Sequence, residues 1–175
     1  MSLFKHKIIS SKAKDFINRA VPDLVSDEEL ETYKTKLSQL VDVMPELKNI
    51  SAEKFSEHLA AVNLALFYGA WLVWIYKRTG SAAVHDEAFL VDEAVKNNKV
   101  NAKFVDLYEL YKGVSGYKGP NELSGVDSIA RLFISELFGK ELPQNFTELS
   151  QNFAFLFDKS MQSFTSDFKR LKLIS

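Results

Sequence analysis

Residues 59–76 read LAAVNLALFYGAWLVWIY, and this run of eighteen residues contains one polar amide, Asn63, and no charged side chain. A helix that is apolar on every side is stable only when a protein core or lipid surrounds it. Ser51 before the run is a suitable N-cap, and the positive charge of Arg78 suits a helix C-terminus. The sequence therefore predicts a long helix over about 52–78, and the fold depends on what covers it.

Two environments can cover such a run, and the sequence favours a protein core. A helix of eighteen residues spans about 27 Å, slightly less than the roughly 30 Å of a hydrocarbon core. The rest of the chain contains at least four amphipathic segments whose wide apolar faces need an apolar surface to pack on. Ala61, Ala65 and Gly69 would let another helix approach closely. We therefore predict that the run is the buried axis of a helical domain.

The membrane alternative rests on the C-terminal half of the run. Aromatic residues crowd that half, and Lys77 and Arg78 follow, which is typical of an interfacial belt with a basic flank. The helix could span a membrane, or a bundle could hide it and release it at a membrane. The second arrangement is similar to that of pore-forming colicins and Bcl-2-type proteins, and the resemblance implies conditional insertion of residues 59–76. Those proteins carry a two-helix apolar hairpin, whereas the segment after Gly80 is charged.

Helical periodicity continues through most of the remaining chain, and no stretch alternates apolar and polar residues between hairpin turns. The sequence predicts a single all-α domain of six to seven helices around the central apolar helix, with a hinge at 79–83, TGSAA. The other predicted helices run from after Ser10 or Ser11 to before Pro22, from Ser26 to Pro45, over 86–97, 102–112 and 123–138, and from about Asn145 or Thr147 onward. The last of them places apolar residues on one stripe: Leu149, Phe153, Phe157, Met161, Phe164, Phe168 and Leu171.

Composition excludes several classes of function. Twenty-two basic and 23 acidic residues give a net charge of -1, which provides no general attraction to nucleic acid. The absence of cysteine excludes disulfides, thiolate nucleophiles and cysteine-based metal sites. The first residues include no apolar stretch and cleavage site typical of a secretory signal, so we expect a cytoplasmic protein.

The histidines do not form a metal motif. Helical metal sites need ligands at i and i+3 or i+4, and neither Glu-x-x-His nor His-x-x-x-His occurs around His6, His58 or His85. His58 precedes the apolar run, and we interpret it as a boundary residue on a solvated turn. An enzyme of unknown type would need His58 to share a cleft with His85 and Asp86 as an acid and base pair. No catalytic motif, metal site or cofactor site is predicted.

A glycine-rich segment, GVSGYKGPN over 113–121, matches no phosphate-binding motif and follows no strand. Its neighbours Lys112, Tyr117 and Lys118 could still hold an anion against the next helix N-terminus. A plain connection between helices is the simpler interpretation.

Asn63 is the polar residue that the apolar run must accommodate. An amide in this position must find a hydrogen-bond partner or cost about 1–3 kcal/mol. The structural interpretation is a bond to a neighbouring helix. The alternative is a small apolar pocket lined by Asn63, Tyr68, Trp71 and His58.

These observations favour a non-catalytic helical domain that binds an unknown protein partner or a small apolar ligand. A homo-oligomer is compatible with the sequence, and a nucleic-acid partner is not expected. Membrane insertion of the 59–76 helix and an enzyme using His58, His85 and Asp86 stay open as alternatives.

Overall fold

The computed structural model describes the backbone of residues 2–79, 84–97, 100–115 and 125–170, and their side chains except those of 2–11, 78–79 and 84–88. Across these ranges the chain is helical and contains no strand, which confirms the predicted all-α class. The helices are α1 (Ser2–Leu24), α2 (Asp27–Val41), a 3₁₀ helix η1 (Pro45–Asn49), α3 (Ala52–Thr79), α4 (Val84–Asn97), α5 (Ala102–Ser115), α6 (Gly125–Phe138) and α7 (Phe146–Arg170).

The apolar helix α3 lies at the centre of the bundle, as predicted. Each of the other α-helices just named packs against it. Every residue from Leu59 to Ile75 is buried except Tyr68 and Gly69, which are half-buried. Within the described ranges α3 alone is long and apolar enough to cross a membrane, over Ala52–Lys77, and 83% of its most apolar eighteen-residue window is buried inside the protein. The surrounding helices thus provide the apolar environment that this helix needs.

Aromatic side chains join α7 and α6 to the central helix. Phe133 on α6 packs against Phe153 and Phe157 of α7, with ring centroids 5.0 and 5.3 Å apart, and against Phe55 at 5.7 Å. Aromatic pairs in this range add about 0.5–1.5 kcal/mol beyond their buried area. The predicted α7 stripe is confirmed for Leu149, Phe153, Phe157, Met161, Phe164 and Phe168, which are buried or half-buried, while Leu171 lies outside the described residues.

Close approach of α7 to α3 explains the small residue at Gly69. A Cβ atom at this position would lie 3.2 Å from the Met161 Cε atom, tighter than ordinary van der Waals contact. Ala61 and Ala65, two turns and one turn earlier, are buried. The prediction that small residues on α3 admit a neighbouring helix is therefore confirmed at Gly69.

The predicted end of the first helix before Pro22 is wrong, and so is its predicted start after Ser10 or Ser11, because α1 runs from Ser2 to Leu24. Proline lacks an N–H and disfavours helical geometry in the preceding residue. Here that residue, Val21, is fully buried against the core, and its burial outweighs the local preference. The helix ends within one turn of the proline, where the Val25 N–H donates to the Pro22 carbonyl at 3.2 Å.

The second helix starts as predicted but ends earlier. The Ser26 hydroxyl accepts a hydrogen bond from the Glu29 N–H at 3.2 Å and caps α2. Helix α2 stops at Val41, and the predicted extension to Pro45 is wrong, because Met44 before the proline is not helical, with φ −133° and ψ 77°. The chain instead forms the 3₁₀ helix η1 from Pro45 onward.

The start of α3 is confirmed by its cap. The Ser51 hydroxyl accepts a hydrogen bond from the Lys54 N–H at 3.3 Å. The helix continues to Thr79, one residue beyond the predicted end. Of the predicted hinge, residues 80–83 lie outside the described residues.

Two glycines offer a matched test of helix geometry. Gly139 follows α6 with φ +62°, in the left-handed region, whereas Gly113 lies inside α5, and a Cβ added there would meet no atom within 4 Å. We expect Gly139→Ala to lower the free energy of unfolding by about 1–2 kcal/mol, because a side chain is strained in left-handed backbone. We expect Gly113→Ala to raise it by about 0.5–1 kcal/mol. Urea denaturation checks both, and a loss at position 113 with none at 139 would contradict the helix boundaries.

Candidate functional site

Asn63 connects α3 to α2. Its Nδ2 donates to the Tyr33 hydroxyl oxygen at 2.9 Å, and that hydroxyl donates to the Leu24 carbonyl at 3.4 Å. Burial, and then the negative charge of Glu29, raise the pKa of Tyr33, so this hydroxyl keeps its proton. The amide is therefore used in a hydrogen-bonded chain from α3 through α2 to the end of α1, as the structural interpretation predicted.

His58 is buried, so its interpretation as a residue on a solvated turn is wrong. It is 7% exposed, and its Nδ1 lies 2.7 Å from the hydroxyl oxygen of Tyr111, which is completely buried on α5. The two rings meet edge to face, with centroids 6.0 Å apart. Burial lowers the pKa of His58 despite the opposing influence of Glu136, and burial raises the pKa of Tyr111. The environment differs from the prediction because α5 covers this side of the first turns of α3.

A polar cluster joins Tyr68 on α3 to α4 and α5. The Lys112 ammonium lies 2.9 Å from an Asp92 carboxylate oxygen and 3.0 Å from one of Glu109. It also lies over the rings of Tyr68 and Tyr108, 5.5 and 5.1 Å from their centroids, and the Tyr108 hydroxyl donates to Asp92. Burial alone would lower the pKa of Lys112, but its hydrogen bonds to Asp92 and Glu109 raise it above the ordinary value. The cluster therefore holds a charged lysine between two carboxylates and two aromatic faces.

Trp71 belongs to an aromatic group rather than to the polar residues. Its ring stacks on Trp74 at 5.3 Å and meets the Phe168 ring of α7 at 5.3 Å. The four residues predicted to line a pocket thus contact different neighbours: Asn63 contacts α2, His58 and Tyr68 contact separate tyrosines of α5, and Trp71 contacts α7. The structure does not bring them together.

The other two predicted sites depend partly on residues outside the described ranges. Tyr117 and Lys118 of the anion loop lie there, and the remaining member, Lys112, already has two carboxylate partners. His85 and Asp86 are in the first turn of α4, and their side chains are not described. His58 lies in the second turn of α3, about 30 Å along the axis from the end that precedes α4. Both sites stay predictions.

No group of three or more metal-ligating side chains occurs among the described residues. Two open clefts do occur on the surface of this part of the chain. One, of about 310 Å³, lies between the α1–α2 corner and the start of α5, with Asp27 and Lys103 at its edge. The other, of about 200 Å³, lies between α6 and α7, with Asp127 and Arg131 of the same helix at its edge. Neither cleft includes a predicted pocket residue.

In comparisons with known proteins, no protein-family model matches the chain, and no curated protein sequence or solved structure matches it either.

Sequence reasoning missed the tyrosine and aspartate partners in these contacts. Spacing alone assigns Tyr108 and Tyr111 to the apolar face of α5, and it assigns Asp92 to an acidic cluster near a helix start. The sequence does contain one indication of these contacts, namely the tyrosines themselves, because a buried tyrosine hydroxyl usually needs a hydrogen-bond partner. Two tyrosines on one core-facing stripe therefore indicate polar partners on the neighbouring helices.

The Asn63–Tyr33 hydrogen bond can be tested by a double-mutant cycle. We expect Asn63→Leu and Tyr33→Phe each to lower the free energy of unfolding, by about 1–3 kcal/mol, since each leaves a buried polar group without this partner. The double variant should lose less than the sum of the two, with a coupling of about 0.5–1.5 kcal/mol. Urea denaturation provides the measurement. Strictly additive losses would show that the two side chains do not interact.

The Lys112 cluster can be tested against a solvated pair of the same type. Lys112→Met should lower the free energy of unfolding by about 1–3 kcal/mol, because the mostly enclosed carboxylate of Asp92 loses its cation, whereas Glu109 keeps its pair with Lys96. Lys34→Met removes an exposed pair with Glu31, also three residues apart, and should leave the midpoint nearly unchanged. Thermal and urea unfolding compare the two, and equal losses would contradict a structural role for the cluster.

Proposed function

We propose that this chain is a non-catalytic helical domain that binds another protein through its outer surface, with α5 as the contact helix. An internal ligand site has less support from the geometry. Ligand pockets need several polar groups that converge on a shared space. Here Asn63, His58 and Lys112 are each engaged with a neighbouring helix. The proposal therefore assigns the binding role to the surface.

The observation that carries this proposal is a pair of exposed apolar side chains on α5. Leu110 is 40% exposed and Val114 is 37% exposed, and a spacing of four residues puts them on one side of the helix. The half-buried Leu107 extends the stripe by one turn. Apolar anchors at i, i+3 and i+7 are the pattern by which a helix docks in an apolar groove of a partner.

The exposed apolar side chain of Phe155 fits this role less well than the α5 stripe. Phe155 on α7 is 60% exposed, but the residues three and four positions away on its helix are polar, and the Lys159 ammonium lies 4.4 Å from its ring centroid. Single apolar side chains on a surface are common and need no partner. Phe155 therefore serves as a matched control for the α5 stripe.

Conditional membrane insertion of α3 is the second candidate. The length and apolar character of Ala52–Lys77 support it. Insertion would require α3 to exchange its contacts with all the surrounding helices for lipid. The protein-binding proposal needs no such rearrangement, so we place it first. A cytoplasmic location is part of the same proposal.

The test compares Leu110→Asp/Val114→Asp with Phe155→Asp. We expect the α5 variant to bind its partner at least about tenfold more weakly, because a carboxylate in an apolar groove loses its hydration. Phe155→Asp should bind as the unchanged protein does. Sedimentation velocity measures self-association, and affinity purification with quantitative mass spectrometry measures other partners.

All three positions lie at the surface, so circular dichroism should show the same helix content for both variants as for the unchanged protein. If the α5 variant keeps every partner and its association state, the proposed contact surface is wrong. If Phe155→Asp loses them instead, the surface lies on α7.

A further inference from the structure

His58 is a titratable side chain at the point where three helices meet. It lies on α3 and contacts Tyr111 of α5 directly, and the negative charge of Glu136 on α6 acts to raise its pKa. The charged groups of its own helix that face it are Lys54 and Glu57. The Lys54 ammonium is held by the Leu137 carbonyl at 3.2 Å, and Glu57 forms an ion pair with Lys103. The neighbouring charges on α3 therefore already have partners.

The hydrogen bond between His58 and Tyr111 has a preferred direction. A phenol hydroxyl is a much stronger acid than a neutral imidazole N–H, so the hydroxyl donates and Nδ1 accepts. Protonation of the imidazole removes the Nδ1 lone pair and turns this nitrogen into a donor. The Tyr111 hydroxyl then loses its acceptor at a position with no exposure to solvent. At acid pH the Tyr111 hydroxyl can therefore no longer donate to the His58 Nδ1. Protonation also adds a positive charge inside the interface between α3 and α5.

We propose that the His58–Tyr111 contact is an acid-sensitive latch between α3 and α5. With the imidazole neutral, the latch holds α5 on the first turns of α3. With the imidazole charged, α5 loosens and uncovers the apolar side of α3 beneath it. This device does not rest on the proposed protein-binding role of α5.

The difference between the pKa of His58 in the folded protein and in the unfolded chain determines the direction and size of the expected change in stability with pH. Burial lowers the pKa of His58 from its ordinary value of 6.5, so the folded protein resists protonation more than the unfolded chain does. The folded protein therefore keeps its full stability at pH values above this ordinary pKa, and its free energy of unfolding decreases as the pH falls below it. From pH 7.5 to pH 5.0 the folding equilibrium constant should fall by up to about 30-fold through this residue. This window lies above the ordinary pKa range of carboxylates, which limits their contribution.

The first experiment measures urea unfolding at pH 7.5 and pH 5.0 by the fluorescence of the buried Trp71 and Trp74. His58→Gln keeps a neutral acceptor for Tyr111 and should reduce the pH-dependent change to less than about threefold. The matched control, His6→Gln/His85→Gln, removes the other two histidines and should keep the full change. Full pH dependence in His58→Gln, or its loss in the control, would overturn the proposal.

Hydrogen exchange of the unchanged protein then locates the effect. After correction for intrinsic rates, amides of α5 and the first turns of α3 should lose more protection at pH 5.0 than those of α7, whose loss should not exceed the change in the global folding equilibrium constant. A uniform loss over all helices would show global destabilisation instead of a latch. If His58→Gln does not fold, an NMR titration of the unchanged protein replaces it. An imidazole at position 58 that titrates at or above its ordinary pKa overturns the proposal.

Discussion

The burial of a helix without a polar face is the constraint on which the rest of this structure depends. Helix α3 has apolar side chains on all sides, so no orientation can leave one face in water. The surrounding α-helices cover it from several directions, and their own apolar stripes are buried at the same time. The amphipathic patterns of α2 and α7 therefore have a common cause, because each helix needs an apolar surface and α3 provides one.

Polar side chains on α3 give this packing its specificity. Apolar contacts are non-directional and tolerate sliding, whereas a buried hydrogen bond is satisfied in one arrangement. The hydrogen bond of Asn63 fixes the position of α2, and the hydrogen bond of His58 fixes the position of α5. Tyr68 contacts Lys112, whose ion pairs join α4 to α5. Each helix that these residues contact is thereby held at a defined height along the central axis. These contacts account for the polar residues of the site better than a shared ligand does.

Local rules predict the features that depend on a few neighbouring residues. The caps at Ser26 and Ser51 and the stripe of α7 follow from spacing and residue type, and the structure confirms them. The features that local rules miss depend on distant parts of the chain. Pro22 stays within α1 because the core buries Val21. Likewise, the environment of His58 is created by Tyr111, 53 residues later, and no pattern around position 58 reveals that partner. The four residues of the predicted pocket contact different helices, because successive side chains on a helix are rotated by about 100° and positions 58, 63, 68 and 71 do not all face one direction.

The central position of α3 also matters while the chain is being made. Helix α7, which packs along α3 at Gly69 and Trp71, is completed about ninety residues after α3 ends. At ordinary rates of synthesis this interval lasts about 5–20 s, and α1, α2 and η1 are the elements already made that can shield a fully apolar helix. Much of the apolar surface of nascent α3 therefore stays uncovered by its own chain until its later neighbours are made.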